Sequence, residues 1–229
     1  MPTHLYCLLP RGSSAIPPEG VRVVDSRAAL AWVGDTHASR VSRDAREAVR
    51  ATIAHDRVVG AALGQDVTPM PASLADPYDD DATMLDDLTA HAGEIARAFP
   101  AILGMVEMTT IIALNDTPPA ADAPGRGTAY LEQVRSAPAR AAAIADRVAE
   151  ALGKRIADTR RRDDGARVAL SHLVPKSAET MYRELVAGLG GQGYRLVVDG
   201  PRAPYSFALY SPRRGLVTEL WLGGTILAT

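Results

Sequence analysis

The stretch Tyr194-Arg195-Leu196-Val197-Val198-Asp199-Gly200-Pro201-Arg202-Ala203-Pro204-Tyr205-Ser206-Phe207 decides the reading of this chain. Its apolar opening, Tyr194 to Val198, has the composition of a strand. Asp199-Gly200 is a turn signal expected to stop it. Pro201 and Pro204 fix two backbone angles and remove two N–H donors. The segment after the turn is therefore expected to be extended and poor at pairing on one side. In that conformation Tyr205 and Phe207 share one face, with Ser206 and Ala208 on the other. A stiff strand with two aromatics is a packing or docking device, and it holds no nucleophile, metal ligand or phosphate cradle.

Four places along the chain, in order, carry a family resemblance. A short opening strand holds Tyr6. A helix runs through His55-Asp56-Arg57-Val58-Val59 to Ala62-Leu63, and Val67-Thr68-Pro69 comes after it. Tyr130-Leu131-Glu132 opens the second half, and Gly200 to Phe207 closes the series. Together they resemble the gas vesicle protein F/L family (GvpF/GvpL). The resemblance implies a two-domain plan and contact with the small hydrophobic gas vesicle shell protein (GvpA-type) and other accessory proteins. It also implies work at the gas vesicle, while the lack of a signal-peptide pattern makes the cytoplasm the expected compartment. This chain departs from the family at Met70-Pro71-Ala72, where relatives have basic and aromatic residues and a glycine. It also runs on past the signature.

The bulk properties fit a folded protein. The chain has 229 residues, 47% apolar and 23% charged, with a net charge of −2. That balance provides no general attraction to nucleic acid or anionic lipid. Aromatics are 5%, so Ala, Val and Leu fill most of the core. One cysteine, Cys7, excludes an internal disulfide and a multi-cysteine metal site. It reads as a small buried apolar group. No stretch matches a signal peptide, and none approaches the roughly eighteen apolar residues of a membrane span.

Outward from the deciding stretch, apolar runs mark strands at His4–Leu9, Val21–Val24, Leu30–Val33 and Val67–Met70. A helix from about Ser42 carries Ala45, Val49, Ile53, Val59 and Leu63, ending at Gly64. Four aspartates at 76, 79, 80 and 81 read as a helix cap in preference to a calcium loop, which would need a glycine and a closing glutamate. One subsequent helix places Leu85, Leu88, Ala92, Ile95 and Phe99 on one stripe. In Met105–Leu114, Val106, Met108, Thr110, Ile112 and Leu114 share a face, while Glu107 and Thr109 look the other way. Residues 115–127 read as a linker, so the expected domains are 1–118 and 119–229. The second half reads as a helical turn at 129–134, a long helix through Ile144 and Ile156, and a charged loop at Arg160–Gly165. A strand at Val168–Val174 and a helix at Ser177–Leu189 come next. The expected fold is α+β: two small domains, each a mainly antiparallel sheet covered by helices segregated to one side and of split-βαβ or ferredoxin-like character, the amino-terminal one ferredoxin-like.

Catalytic patterns are missing. The histidines are His4, His37, His55, His91 and His172, without H-x-x-x-H spacing. There is no G-x-S-x-G elbow and no phosphate loop. His55 and Asp56 point roughly a hundred degrees apart on a helix, so they form no dyad. His172 and Lys176 lack a third group. The expectation is a binding protein without catalytic residues, cofactor or metal, with a diverged F/L-like module scaffolding another assembly as the alternative and a small-molecule enzyme as the third choice. The candidate contacts are Arg202, Tyr205 and Phe207 from the signature, with core anchoring the preferred role of the two aromatics. Glu107 and Thr109 are added from the strand face. Trp221 is added from the apolar tail after Ser211, which is expected either to pack back as strands or to dock a partner.

Overall fold

The structure is a computed structural model, and it describes residues 2–35, 45–74, 77–115, 126–164 and 167–217. Its chain divides into two compact units. One comprises Met1–Gly104 and Arg202–Thr229, and the other Met105–Pro201.

The first unit contains strands β1 (Thr3–Leu9), β2 (Val21–Asp25) and β3 (Leu30–Asp35), helix α1 (Ala45–Leu63) and strand β4 (Met70–Pro71). Helices α2 (Asp81–Ala90) and α3 (Ala92–Ile102) come next. The sheet order is β2-β3-β1-β4, and the pairings are antiparallel. A register shift between Leu5 and Cys7 interrupts β1. Such a bulge puts two successive residues on one face. Accordingly, Leu5 and Leu8 pack with Met84, Leu88, Ile95 and Phe99 of α2 and α3. Tyr6, Cys7 and Leu9 instead pack with Trp32 and with Val59 and Ala62 of α1. Helices thus cover both faces of this sheet, not one. Trp32, Leu8 and Leu9 are fully buried, each contributing on the order of 2 kcal/mol of apolar transfer.

The expected single helix after the aspartates is two helices. His91 ends α2, its N–H bonded to the Asp87 carbonyl at 3.2 Å, and begins α3. Capping holds: the Asp80 carboxylate accepts the Thr83 N–H at 2.8 Å.

The second unit contains β5 (Met105–Leu114), α4 (Arg126–Leu152), β6 (Asp158–Asp164), β7 (Arg167–Pro175), α5 (Glu179–Gly188) and β8 (Tyr194–Arg202), of which the last residue, Arg202, opens the returning segment of the first unit. Its sheet order is β6-β7-β5-β8. In chain order this is βαββαβ, with the first strand inside and the last outside. That succession and order are ferredoxin-like, the character expected of each half and named for the amino-terminal one; the first unit's sheet has the different order β2-β3-β1-β4. The boundary also moves, because β5 pairs along its length with β7, from Met105 opposite Pro175 to Ala113 opposite Arg167. Its sheet partners make β5 the start of the second unit, not the end of the first.

Val106, Met108, Thr110 and Ile112 of β5 are buried, as are Ala141, Ile144, Val148 and Leu152 of α4. The expected helical turn and long helix are one helix, α4, with Pro138 inside it. The expected charged loop is a strand: Arg161 lies opposite Leu170, and Arg162 opposite Ala169. A strand at a sheet edge tolerates charges, since they reach water and discourage stray pairing.

The signature departs from its extended reading too. Asp199 and Gly200 lie inside β8 and do not end it. Beyond it the chain turns, with the N–H groups of Phe207 and Ala208 both bonded to the Pro204 carbonyl, at 3.1 and 2.9 Å. Strands β9 (Leu209–Ser211) and β10 (Gly215–Val217) then form an antiparallel hairpin in the first unit. Tyr210 of β9 bridges to Ala72 beside β4. The tail expected to pack back as strands does so through Val217, and its remainder, with Trp221, lies outside the described residues.

Candidate functional site

The predicted contact residues fall into two groups. Arg202, Tyr205 and Phe207 belong to the first unit, Glu107 and Thr109 to the second. Arg202 is exposed at the end of β8. Tyr205 is half-buried and packs on the Cys7–Trp32 cluster, its hydroxyl buried beside Asp56. Burial, then the Asp56 carboxylate, pushes the Tyr205 pKa up. Phe207 is 8% exposed. These aromatics present little surface to a partner in this state. On β5, Glu107 is 7% exposed, and the Thr109 hydroxyl lies 3.2 Å from that of Ser171.

Three polar clusters lie within the first unit. His4 Nε2 is 3.0 Å from His55 Nδ1, with the Tyr6 ring 4.7 Å from the His4 ring. Burial lowers the pKa of both histidines to about 4, with repulsion from His4 adding to the effect at His55. At the hairpin, Asp87 Oδ2 accepts the Tyr78 hydroxyl at 2.5 Å, the Tyr210 hydroxyl at 2.8 Å and the Arg213 N–H at 3.0 Å. Burial works against the Asp87 carboxylate, but these donors outweigh it and its pKa is lowered. At the start of the sheet, Arg22 reaches both Asp81, at 2.5 Å, and Asp35, at 3.2 Å. The Thr3 hydroxyl donates to Asp81 at 2.6 Å. The bonds from Arg22 and Thr3 hold the Asp81 carboxyl down to about 2.

In the second unit, His172 is fully buried. Its Nδ1 lies 2.7 Å from the Tyr182 hydroxyl, which lies 2.6 Å from the Thr110 hydroxyl. One phenol proton can serve only one neighbour, so Tyr182 donates to one and accepts from the other. Burial lowers the His172 pKa to about 4 and pushes that of Tyr182 up to about 12. This is a hydrogen-bonded core relay, and His172 does not line a cleft with Lys176.

An open groove of about 580 Å³ lies between α5 and β8. Val186 and Ala187 form its helix side, and Tyr194, Leu196 and Val198 its strand side. Arg183 is bonded to Glu179 at 3.0 Å and to the Gly200 carbonyl. The groove did not emerge from the sequence reading. The alternation of Tyr194, Leu196 and Val198 was its only local signal, and the edge position of β8 is a property of the whole sheet.

Among the described residues no group of three or more His, Cys, Asp or Glu side chains is placed to hold a metal ion. No helix among them is long and apolar enough to cross a membrane. The exposed features are sheet edges and an apolar groove, which suit the binding of another polypeptide.

Fold and surfaces together define a two-unit α+β protein with open strand edges. The chain belongs to the gas vesicle synthesis protein GvpL/GvpF family, whose model matches residues 2–209. Two solved structures share its fold. The gas vesicle protein GvpF from Anabaena sp. PCC7120 is 15% identical, with a TM-score of 0.71 over 90% of this chain and 94% of that one. GvpF from Microcystis aeruginosa is 14% identical, with a TM-score of 0.71 over 90% of this chain and 98% of that one. No curated protein matches the chain.

Proposed function

We propose that this chain is an accessory protein of gas vesicle assembly. It binds the small hydrophobic shell protein and other accessory proteins in the cytoplasm and at the vesicle, and so supports vesicle formation. Family membership over residues 2–209 carries this reading. The physical case is complementary. A hydrophobic subunit exposes apolar strands before assembly, and unpaired strand edges aggregate. A partner that supplies a sheet edge satisfies their backbone groups and keeps them apart.

The test is co-production of the tagged chain with a gas vesicle shell protein, followed by capture on the tag. Retention of the shell protein above an unrelated bait is expected. Recovery of none, while a known shell-binding bait captures it, overturns the reading.

A further inference from the structure

Helices α4 and α5 pack on one face of the second unit's sheet. Tyr182 of α5 bonds to Thr110 and His172 there, and Asp146 of α4 to Arg161. Alternation puts Glu107, Thr109, Ile111 and Ala113 of β5 on the opposite face. The pairing register adds Arg167, Ala169, Ser171 and Leu173 of β7, with Arg160, Arg162 and Asp164 of β6. The 3.2 Å approach of the Thr109 and Ser171 hydroxyls fits this sidedness. On β8, Arg195 and Val197 alternate with the groove-lining Tyr194, Leu196 and Val198, so they too lie on the face away from the helices. The Asn115 N–H bonds to the Gly193 carbonyl at 2.9 Å, which sets Arg195 near the Ala113 end of β5.

The two ends of this helix-free face differ. At one, Glu107 and Leu173 are buried. At the other, Ile111, Ala113 and Ala169 are half-buried and Val197 is 38% exposed. Exposed arginines frame that apolar patch: Arg162 from β6, Arg167 from β7 and Arg195 from β8, none of them in an ion pair among the described residues. The other β6 arginines are neutralised, Arg160 by Asp158 at 3.2 Å and Arg161 by Asp163 and Asp146 at 2.9 and 3.0 Å. One acid, Asp164, shares the face with the three. The patch therefore carries an excess of positive charge on a chain whose net charge is −2.

From this geometry we infer that the patch receives an acidic amphipathic helix of another gas vesicle accessory protein. Its apolar stripe lies on Ile111 and Val197, and its carboxylates meet Arg162, Arg167 and Arg195. Charge selects the occupant. A second copy of this chain would bring the same arginines face to face and be repelled. Single-stranded nucleic acid needs aromatic rings on which its bases stack, and the patch has none. The short side chains of Ala113 and Ala169 leave room for a helix to lie on the sheet. Arg162 and Arg195 stand three strand spacings apart, roughly 14 Å, a length that about ten helical residues cover. The inference rests on the chain binding other accessory proteins, and adds the surface used and the chemistry of the partner.

The test uses the full chain and a fluorescent helical peptide of about fourteen residues, with leucines on one face and glutamates at both ends. Anisotropy measures its binding beside that of a copy with lysine for each glutamate and of a labelled oligouridylate. The unmodified chain is expected to bind the acidic peptide at least about tenfold more tightly than the lysine peptide. The double variant Arg162→Glu, Arg195→Glu should reverse that preference, with thermal melts confirming that it folds. Arg214→Glu, in the first unit, should leave it unchanged. No binding of the acidic peptide, equal binding by the double variant, or preference for the oligouridylate overturns the inference. So does a dimer in sedimentation that the double variant abolishes, which assigns the face to a second copy. The measurement needs no shell protein. Its failure beside successful shell capture overturns this surface and leaves the accessory role standing, whereas the reverse overturns shell binding alone.

Discussion

Nε2 of His4 lies 3.0 Å from Nδ1 of His55, joining the first strand to the helix that covers it. One ring must donate and the other accept, so the contact requires that they not both be charged. Burial lowers His4, His55 and His172 from the ordinary 6.5 to about 4. In the unfolded chain they take up protons near pH 6.5, while in the folded chain they wait until about 4. Within that window the unfolded state binds more protons, so stability falls as pH drops and levels off above 6.5. For His55 and His172, which are buried, complete titration amounts to on the order of 3 kcal/mol each, and for the partly buried His4 to less. Urea midpoints should hold from pH 8 to 7 and decline from 6.5 to 5, before most carboxylates titrate. The decline should be shallower in His55→Gln. A midpoint flat across that range contradicts the assignment.

Asp87 gathers three donors from the segment that ends in the hairpin and from Tyr78. Asp87→Ala leaves the hydroxyls of two buried tyrosines, Tyr78 and Tyr210, without their acceptor, and a cost of about 2–3 kcal/mol is expected. Tyr210→Phe removes a single donor and should cost about 1 kcal/mol. Denaturant unfolding measures both. Equal effects would mean that Asp87 does not act as the common acceptor.

Gly200 occupies a place no side chain fits. Its φ is +113°, and a Cβ there would stand 2.7 Å from the Glu107 carbonyl oxygen. Gly200→Ala should destabilise the chain by about 2 kcal/mol or more. Gly60, within α1, has open space around it. There alanine is expected to stabilise by about 0.5–1 kcal/mol. Thermal melts of the two variants should move in opposite directions.

The Arg22–Asp81 pair is short, but its side chains are 41% and 38% exposed. Water and salt screen such pairs, so Arg22→Ala should cost under about 1 kcal/mol. The cost should shrink in high salt. Because Asp81 is held down to about 2, its contribution persists at neutral pH and disappears as pH falls from 3.8 toward 2. A large, salt-independent loss in Arg22→Ala would show that the pair acts as a buried one.

The features legible in the sequence obeyed local rules. The alternation of β5 and the cap at Asp80 were readable because period and turn chemistry are written in neighbouring residues. The family resemblance was carried by the segments around Tyr6, His55, Tyr130 and Pro201, and the family match covers them. The features that escaped depended on partners far along the chain. Arg160 to Asp164 read as a loop because nothing nearby announces that Ala169 to Ser171 will pair with them. Asp199-Gly200 carries a turn signal, yet the strand runs through it. The two helices around His91 share an apolar stripe that no local signal divides. Likewise, the groove beside β8 exists only because that strand is last in its sheet.

The first unit is interrupted: its chain leaves at Gly104 and returns at Arg202. During synthesis, Met105–Pro201 is therefore complete on the ribosome while its host unit still lacks the ring of Tyr210 that fills the core beside Met70 and Tyr78. The inserted unit can settle first, and the host closes only when the last segment emerges. A stalled or prematurely released nascent chain would thus present a finished guest in an unfinished host, leaving apolar surface at Met70 open to chaperones or to proteolysis.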